Sequence, residues 1–222
     1  MPPLSRFRFL GPSHRDSQPM IVAPELQQVA PGLALWHASD PKAKAELFST
    51  AIRTLRGLLL VDPIPLSDSA LPDLLAMGPI AGIVVTNANH GRASAAFAGK
   101  WQVPLFGHAT LADAGIDGFQ PVEQGDRILD SLEVIGIAGA APGEIALYLP
   151  DDRGSLILGD ALIHFDPYGF TFLPAKYCTD HKQMKKSLRA LLLYSAERML
   201  FAHGTPILSK ATSRLEQLLK DG

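Results

Sequence analysis

The chain has 222 residues, of which 47% are hydrophobic, and its formal net charge is −2. This length is sufficient for one large hydrophobic core, and the weak negative charge gives no electrostatic reason to expect a nucleic acid or an anionic membrane as a partner. A single cysteine, Cys178, excludes an internal disulfide and a cysteine-rich zinc site. We therefore expect a protein of a reducing compartment, the cytoplasm.

We predict an irregular N-terminal extension over residues 1–19 and a single domain over residues 20–222. The extension mixes proline, serine, arginine and histidine without periodicity, and it has no apolar stretch typical of a signal peptide. No apolar run in the chain approaches the length of a membrane span.

The first half of the domain alternates strands with helices. The run 58–61 is continuously apolar, which is typical of a strand buried on both faces, and it ends in Asp62. Polar residues 67–69 are suitable caps for the helix that follows. We predict strands at 33–37, 47–54, 58–61, 83–86 and 103–106, and helices at 71–77, 92–100 and 110–114.

The pattern changes after residue 121. Short apolar runs are broken by Gly125-Asp126 and by Pro142-Gly143, which favours antiparallel strands. The aromatic-rich segment 165–172 is predicted to be a loop, and Asp180 to cap a helix. A strand at 199–201 and a helix at 209–220 complete an α+β fold with sheets in the middle and helices outside.

Three apolar runs end in polar residues beside glycine, which predicts one shared site. The first run leads into residues 86–92, the second into Asp160 and the third into His203. Strand ends and the turns after them commonly form the sites of such proteins. The predicted ligand pocket consists of Asn87, Asn89, His90, Arg92, Asp160 and His203.

Four segments in a fixed order resemble the metallo-β-lactamase superfamily, from about Leu33 to the end of the chain. Residues 58–63 resemble a buried strand that ends in aspartate, and residues 143–150 resemble the strand after the family's Pro-Gly-His-Thr-Pro-Gly turn. Residues 156–160 and 202–207 resemble the two later segments of its site. The resemblance implies a four-layer αββα sandwich, and a hydrolase with one or two metal ions at the sheet edges.

The same resemblance implies that most metal ligands are replaced. With the signature Thr-His-x-His-x-Asp-His aligned on Thr86, the family's ligand positions hold Asn87, Asn89, Gly91, Arg92 and, further on, Ala140. Asp160 and His203 match the family. Because amide oxygens are poor ligands for zinc, we expect no tightly bound metal, and the weak candidates are Asn87, Asn89, Asp160 and His203.

Structural interpretations stand beside these. Asn87 and Asn89 are typical of turns, and His90 is expected on the surface. Arg92 is expected to pair with Asp160 in place of the missing metal, directly or through one water, because a buried carboxylate needs a counter-charge.

Other candidate residues also have structural interpretations. Glu144 is expected to be exposed, Cys178 to be inert, and His203 to be either a core histidine or a ligand-binding group. The aromatic side chains of 165–172 either wall an apolar pocket or form a dimer surface.

Two functional hypotheses stay open. In the first, the protein has lost tight metal binding and hydrolysis, needs no cofactor, and binds a small ligand or a partner through the former active-site pocket. In the second, it is a metal-dependent hydrolase of an ester, thioester or lactone that uses zinc, iron or manganese. A regulatory subunit that docks or dimerises through segment 165–172 is a third alternative.

Overall fold

The computed structural model describes residues 21–41 and 45–221 of the chain. The extension predicted for residues 1–19 lies outside the described residues. Within the described part, no helix is long and apolar enough to cross a membrane.

The first sheet has seven strands in chain order. They are β1 (Gln27–Ala30), β2 (Leu33–Asp40), β3 (Ala45–Thr54), β4 (Gly57–Val61), β5 (Ile80–Val85), β6 (Leu105–Gly107) and β7 (Phe119–Pro121). Strands β1 to β4 are antiparallel, whereas β4 to β7 are parallel. Helix α1 (Leu71–Ala76) connects β4 to β5, and helix α2 (Ser94–Trp101) connects β5 to β6, since parallel neighbours need a crossover.

The second sheet has five strands, and a separate hairpin lies between the last two of them in the chain. The sheet strands are β8 (Arg127–Ile128), β9 (Leu132–Gly136), β10 (Ile145–Leu149), β11 (Ser155–Leu158) and β14 (Arg198–Phe201). Their order is β14-β11-β10-β9-β8, with β11 and β14 parallel and the other pairs antiparallel. The hairpin consists of β12 (Leu162–Phe165) and β13 (Gly169–Phe172). Helices α3 (His181–Leu188) and α4 (Ala211–Asp221) lie in the last third of the chain.

Three separate hydrophobic cores define four layers. The central core joins the two sheets, with Leu59 of β4 on one side and Leu147 of β10 on the other. An outer core packs α1 and α2 against the first sheet, and another packs α3 and α4 against the second. The predicted αββα sandwich is therefore confirmed.

Most predicted elements are present, and the exceptions have local causes. Asp180 caps α3 through a bond from the backbone N–H of Gln183 to its carboxylate (2.9 Å), as predicted. Helix α2 begins at Ser94 instead of Arg92, because Arg92 has a left-handed φ of 37°. The loop prediction for 165–172 was wrong, since these residues include all of β13 and the turn of a hairpin whose aromatic side chains pack together.

Candidate functional site

The polar residues of the candidate site follow the ends of four strands. Asp62 comes directly after β4, and the segment 86–92 comes after β5, its parallel neighbour. Asp160 and His203 each follow one of the parallel strands β11 and β14. Because parallel strands end at the same edge, the two sheets bring these residues together at one edge of the sandwich.

Asp62 holds the start of the segment after β5. Its Oδ1 accepts a hydrogen bond from the backbone N–H of Thr86 (2.8 Å), and its Oδ2 accepts one from the Thr86 hydroxyl (2.5 Å). The same Oδ2 lies 2.9 Å from Nδ1 of His90. Asp62 adopts a left-handed φ of 46°, a conformation that non-glycine residues rarely adopt.

His90, Asp160 and His203 form a cluster in which His90 and Asp160 are buried and His203 is partly exposed. Nε2 of His90 lies 3.1 Å from Oδ1 of Asp160, and Nε2 of His203 lies 3.3 Å from the same oxygen. Nδ1 of His203 donates to the backbone carbonyl of Glu46 at 3.0 Å. Each imidazole is therefore tied at Nδ1 to an acceptor, Asp62 or Glu46, and directs Nε2 toward Asp160.

The surface position expected for His90 was wrong, because only 3% of the residue is exposed. The Asp62 carboxylate, which directly follows the neighbouring strand β4, holds the imidazole in the interior. Burial by itself lowers the pKa of His90, but the carboxylates of Asp160 and Asp62 outweigh burial and raise it to about 9.

Neighbouring charges also shift the pKa values of the other two cluster members. Burial acts to raise the pKa of Asp160, but His90 and then His203 hold it well below its usual range. Burial, followed by repulsion from His90, lowers the pKa of His203 to about 4. His203 is therefore neutral at pH 7, with Nδ1 protonated and a lone pair at Nε2.

Glu144 and Asn87 form hydrogen bonds with the backbone N–H and the carboxylate of Asp160, respectively. Oε1 of Glu144 accepts the backbone N–H groups of Asp160 (2.7 Å) and Ala161 (3.0 Å), and its Oε2 accepts Nδ2 of Asn87 (2.7 Å). The prediction that Glu144 is exposed was wrong: 4% of it is exposed. Burial, and then the Asp160 carboxylate, raise the pKa of Glu144 to about 8.

Arg92 does not form a direct pair with Asp160, the first of the two expected arrangements. Its guanidinium donates to three backbone carbonyls, those of Phe48 (2.6 Å), Asp62 (3.1 Å) and Ala202 (3.3 Å). These carbonyls belong to both sheets, so Arg92 ties the sheets together at the site edge. The ion pairs of Asp160 within the described residues are with His90 and His203.

A cavity of about 390 Å³ reaches Asp160 and His203 from the solvent side. The β12–β13 hairpin and the segment after it form most of its wall. The other lining side chains include Ile163, Phe165, Tyr168, Leu173, Lys176 and Tyr177. The wall is mainly apolar and aromatic, as in sites for small organic molecules.

Asn89 and Cys178 have the structural roles that were the alternatives to their functional ones. Asn89 is exposed, and its backbone N–H donates to Oδ1 of Asn87 (2.9 Å), as in a turn. The thiol of Cys178 contacts the backbone carbonyl of Leu173, and burial raises its pKa, which supports the prediction that it is inert.

The site residues that sequence reasoning missed are Asp62, Thr86 and Glu144. Asp62 had a usable signal, a carboxylate directly after a fully buried strand.

The cluster fits one metal ion. His90, Asp160 and His203 offer two imidazole nitrogens and one carboxylate oxygen, all within 4.8 Å of one another. The ligand atoms of a tetrahedral zinc ion, at bond lengths of about 2.0–2.1 Å, are roughly 3.3 Å apart, and the two nitrogen–oxygen separations to Oδ1 of Asp160, 3.1 and 3.3 Å, are close to this value. Acceptors at Nδ1 of both histidines are the usual second contacts of metal-binding imidazoles. The expectation that no metal binds is thus not confirmed.

The comparisons with known proteins agree with the fold. A family model described as metallo-beta-lactamase superfamily matches residues 27–221, so the chain belongs to this superfamily. No curated protein matches the sequence significantly.

Many solved structures of the superfamily match the fold at low identity. A metallo-beta-lactamase from Pontibacter korlensis has a TM-score of 0.67 and 16% identity, covering 89% of this chain and 99% of that one. A metallo-beta-lactamase family protein from Thermus thermophilus has a TM-score of 0.64 and 19% identity, covering 87% and 80%. An archaeal superfamily protein from Sulfolobus tokodaii has a TM-score of 0.65 and 15% identity, covering 86% of each chain. At such identities the likeness is one of fold alone.

Proposed function

We propose that this protein binds a single divalent transition-metal ion through His90, Asp160 and His203, and that it hydrolyses a small ester, thioester or lactone. One observation carries the proposal: both imidazoles are fixed at Nδ1 by acceptors and direct Nε2 toward one oxygen of Asp160. Zinc, iron and manganese are all compatible with two imidazoles and one carboxylate.

The direction of the lone pairs supports a cation between these groups. His203 donates through Nδ1, so its neutral ring presents a lone pair at Nε2 to the Asp160 carboxylate 3.3 Å away. Two acceptors at this distance repel each other unless a proton or a metal ion lies between them. A bound divalent ion would supply Lewis acidity to a substrate carbonyl.

Residues of the chain would hold the two imidazoles in place and enclose the substrate. Asp62 and the Glu46 carbonyl hold the two imidazoles in one tautomer, and Arg92 holds the edges of both sheets in register around them. The cavity beside Asp160 and His203 has room for an acyl group against the aromatic side chains of the hairpin.

Metal analysis of protein purified without chelator tests the proposal. We expect one zinc, iron or manganese ion per chain, and we expect His203→Ala to weaken its binding by more than about tenfold. His37→Ala is the matched control, since His37 is half exposed and pairs with the Glu46 side chain (3.1 Å). Ester, thioester and lactone substrates should be hydrolysed only by metal-loaded protein. Metal-free protein that binds none of the three ions would refute the proposal.

A second candidate function is favoured by the surroundings of His90. Both ring nitrogens lie beside carboxylates, Asp62 at 2.9 Å and Asp160 at 3.1 Å, and a protonated ring would satisfy both. In this candidate the protonated His90 takes the place of a metal, and the protein binds a small ligand in the cavity without hydrolysis. It predicts that the purified protein contains no metal and that chelator leaves its thermal stability unchanged.

A further inference from the structure

The two carboxylate oxygens of Asp160 have different surroundings. Oδ1 faces the two imidazoles, whereas Oδ2 lies 3.2 Å from Nδ2 of Asn87 and accepts a hydrogen bond from it. Since an N–H donor occupies the side of Oδ2, Asp160 has one oxygen free for a metal ion. A carboxylate that bridges two ions through both oxygens would need Oδ2 as well.

The amide of Asn87 is fixed in this orientation. Its Oδ1 accepts the backbone N–H of Asn89 at 2.9 Å, so the NH₂ group must point away from the turn. That group reaches Oε2 of Glu144 at 2.7 Å and Oδ2 of Asp160 at 3.2 Å. Asn87 therefore separates two buried carboxylates and donates to both.

Glu144 is held equally firmly on the other side. Its Oε1 accepts the backbone N–H groups of Asp160 and Ala161, the two residues that continue the chain from β11. A Cβ atom at Gly159 would lie 2.6 Å from the Thr86 hydroxyl, 2.8 Å from Oε1 of Glu144 and 3.0 Å from Nδ2 of Asn87. Only glycine leaves the space that the Asn87–Glu144 contact requires.

We propose that Asn87 limits the site to one metal ion by donating its amide to Oδ2 of Asp160 and Oε2 of Glu144. This inference rests on the proposed single-ion site, and it makes Asn87 and Glu144 positioning residues for Asp160. Removal of the amide donor leaves two buried carboxylate oxygens facing the same space, which is an arrangement that attracts a second divalent cation.

The test compares the number of bound ions in matched variants. Asn87→Asp keeps the acceptor for the Asn89 N–H and replaces the amide donor by a third carboxylate beside Asp160 and Glu144. Asn89→Asp makes the same charge change two residues away on an exposed side chain. Each protein is saturated with Zn²⁺ or Mn²⁺, freed of excess metal by gel filtration, and analysed for metal per chain. We expect one ion for the wild type, one for Asn89→Asp, and two for Asn87→Asp.

A second substitution covers the case in which Asn87→Asp does not fold. Asn87→Ser removes the amide without adding charge, and it should also bind one ion more than the wild type. Equal metal content in the wild type and in the folded Asn87 variants would overturn the inference, as would two ions in the wild type. A wild type without any ion would refute the proposed function and, with it, the one-ion limit, whereas one ion in the wild type and in both Asn87 variants would overturn the role of Asn87 alone.

Discussion

Replacement of Asp62 by asparagine tests whether this carboxylate organises the site. In the wild type, Oδ2 of Asp62 accepts the Thr86 hydroxyl at 2.5 Å and faces Nδ1 of His90 at 2.9 Å, and the residue is 1% exposed. Asparagine keeps one oxygen for the backbone N–H of Thr86 but places an NH₂ group where Oδ2 was. Two buried hydrogen bonds are lost, each costing about 1–3 kcal/mol, so we expect a loss of roughly 2–6 kcal/mol in the free energy of unfolding.

The same substitution should weaken metal binding. His90 loses the partner that holds its proton at Nδ1, and such outer contacts are worth about 10- to 100-fold in metal affinity. Urea unfolding of metal-free protein measures the loss in the free energy of unfolding, and competition with a zinc indicator measures the loss in metal affinity. Asp130→Asn is the control, because Asp130 is exposed, pairs with Arg56 on the surface and should cost less than about 1 kcal/mol. If Asp62→Asn matches Asp130→Asn in both assays, the carboxylate does not organise the site.

Other predictions address the supporting residues. Glu144→Ala leaves three buried N–H groups without their acceptor, and we expect it to lower the free energy of unfolding by roughly 3 kcal/mol or more in urea titrations; a loss below about 1 kcal/mol would contradict the contacts assigned to Glu144. In metal-free protein, the raised pKa of His90, about 9, contributes stability that is fully present below pH 6.5 and is lost as the pH rises through 9. The urea concentration at the midpoint of unfolding should therefore fall between about pH 7 and pH 9.5. His90→Gln should make this midpoint less dependent on pH. Tyr168→Ala removes an exposed side chain from the cavity wall, so it should change the free energy of unfolding by less than about 0.5 kcal/mol. It should lower kcat/KM for long-chain esters more than for acetate esters. Equal losses for both esters would show that the hairpin does not bind the acyl chain.

Local patterns in the sequence were sufficient for most elements and for the fold class, but not for the hairpin at 162–172. Buried apolar runs, glycine and proline turns, and a helix cap such as Asp180 depend on neighbouring residues, and these features placed the main strands and helices. The order of four short segments then indicated the superfamily. Asp160 and His203 could also be predicted as site residues from local patterns, since each follows an apolar run that ends beside a glycine.

Tertiary structure decided which polar groups face the site. The sequence alone determined that Asp160 needs a counter-charge, but it pointed to Arg92, whose guanidinium instead binds carbonyls of residues 48, 62 and 202 from three separate segments. The burial of His90 depends on Asp62, 28 residues away, and that of Glu144 on the backbone N–H groups after β11. Such contacts form only when neighbouring strands pair and the two sheets stack, because they join segments whose local patterns carry no information about one another.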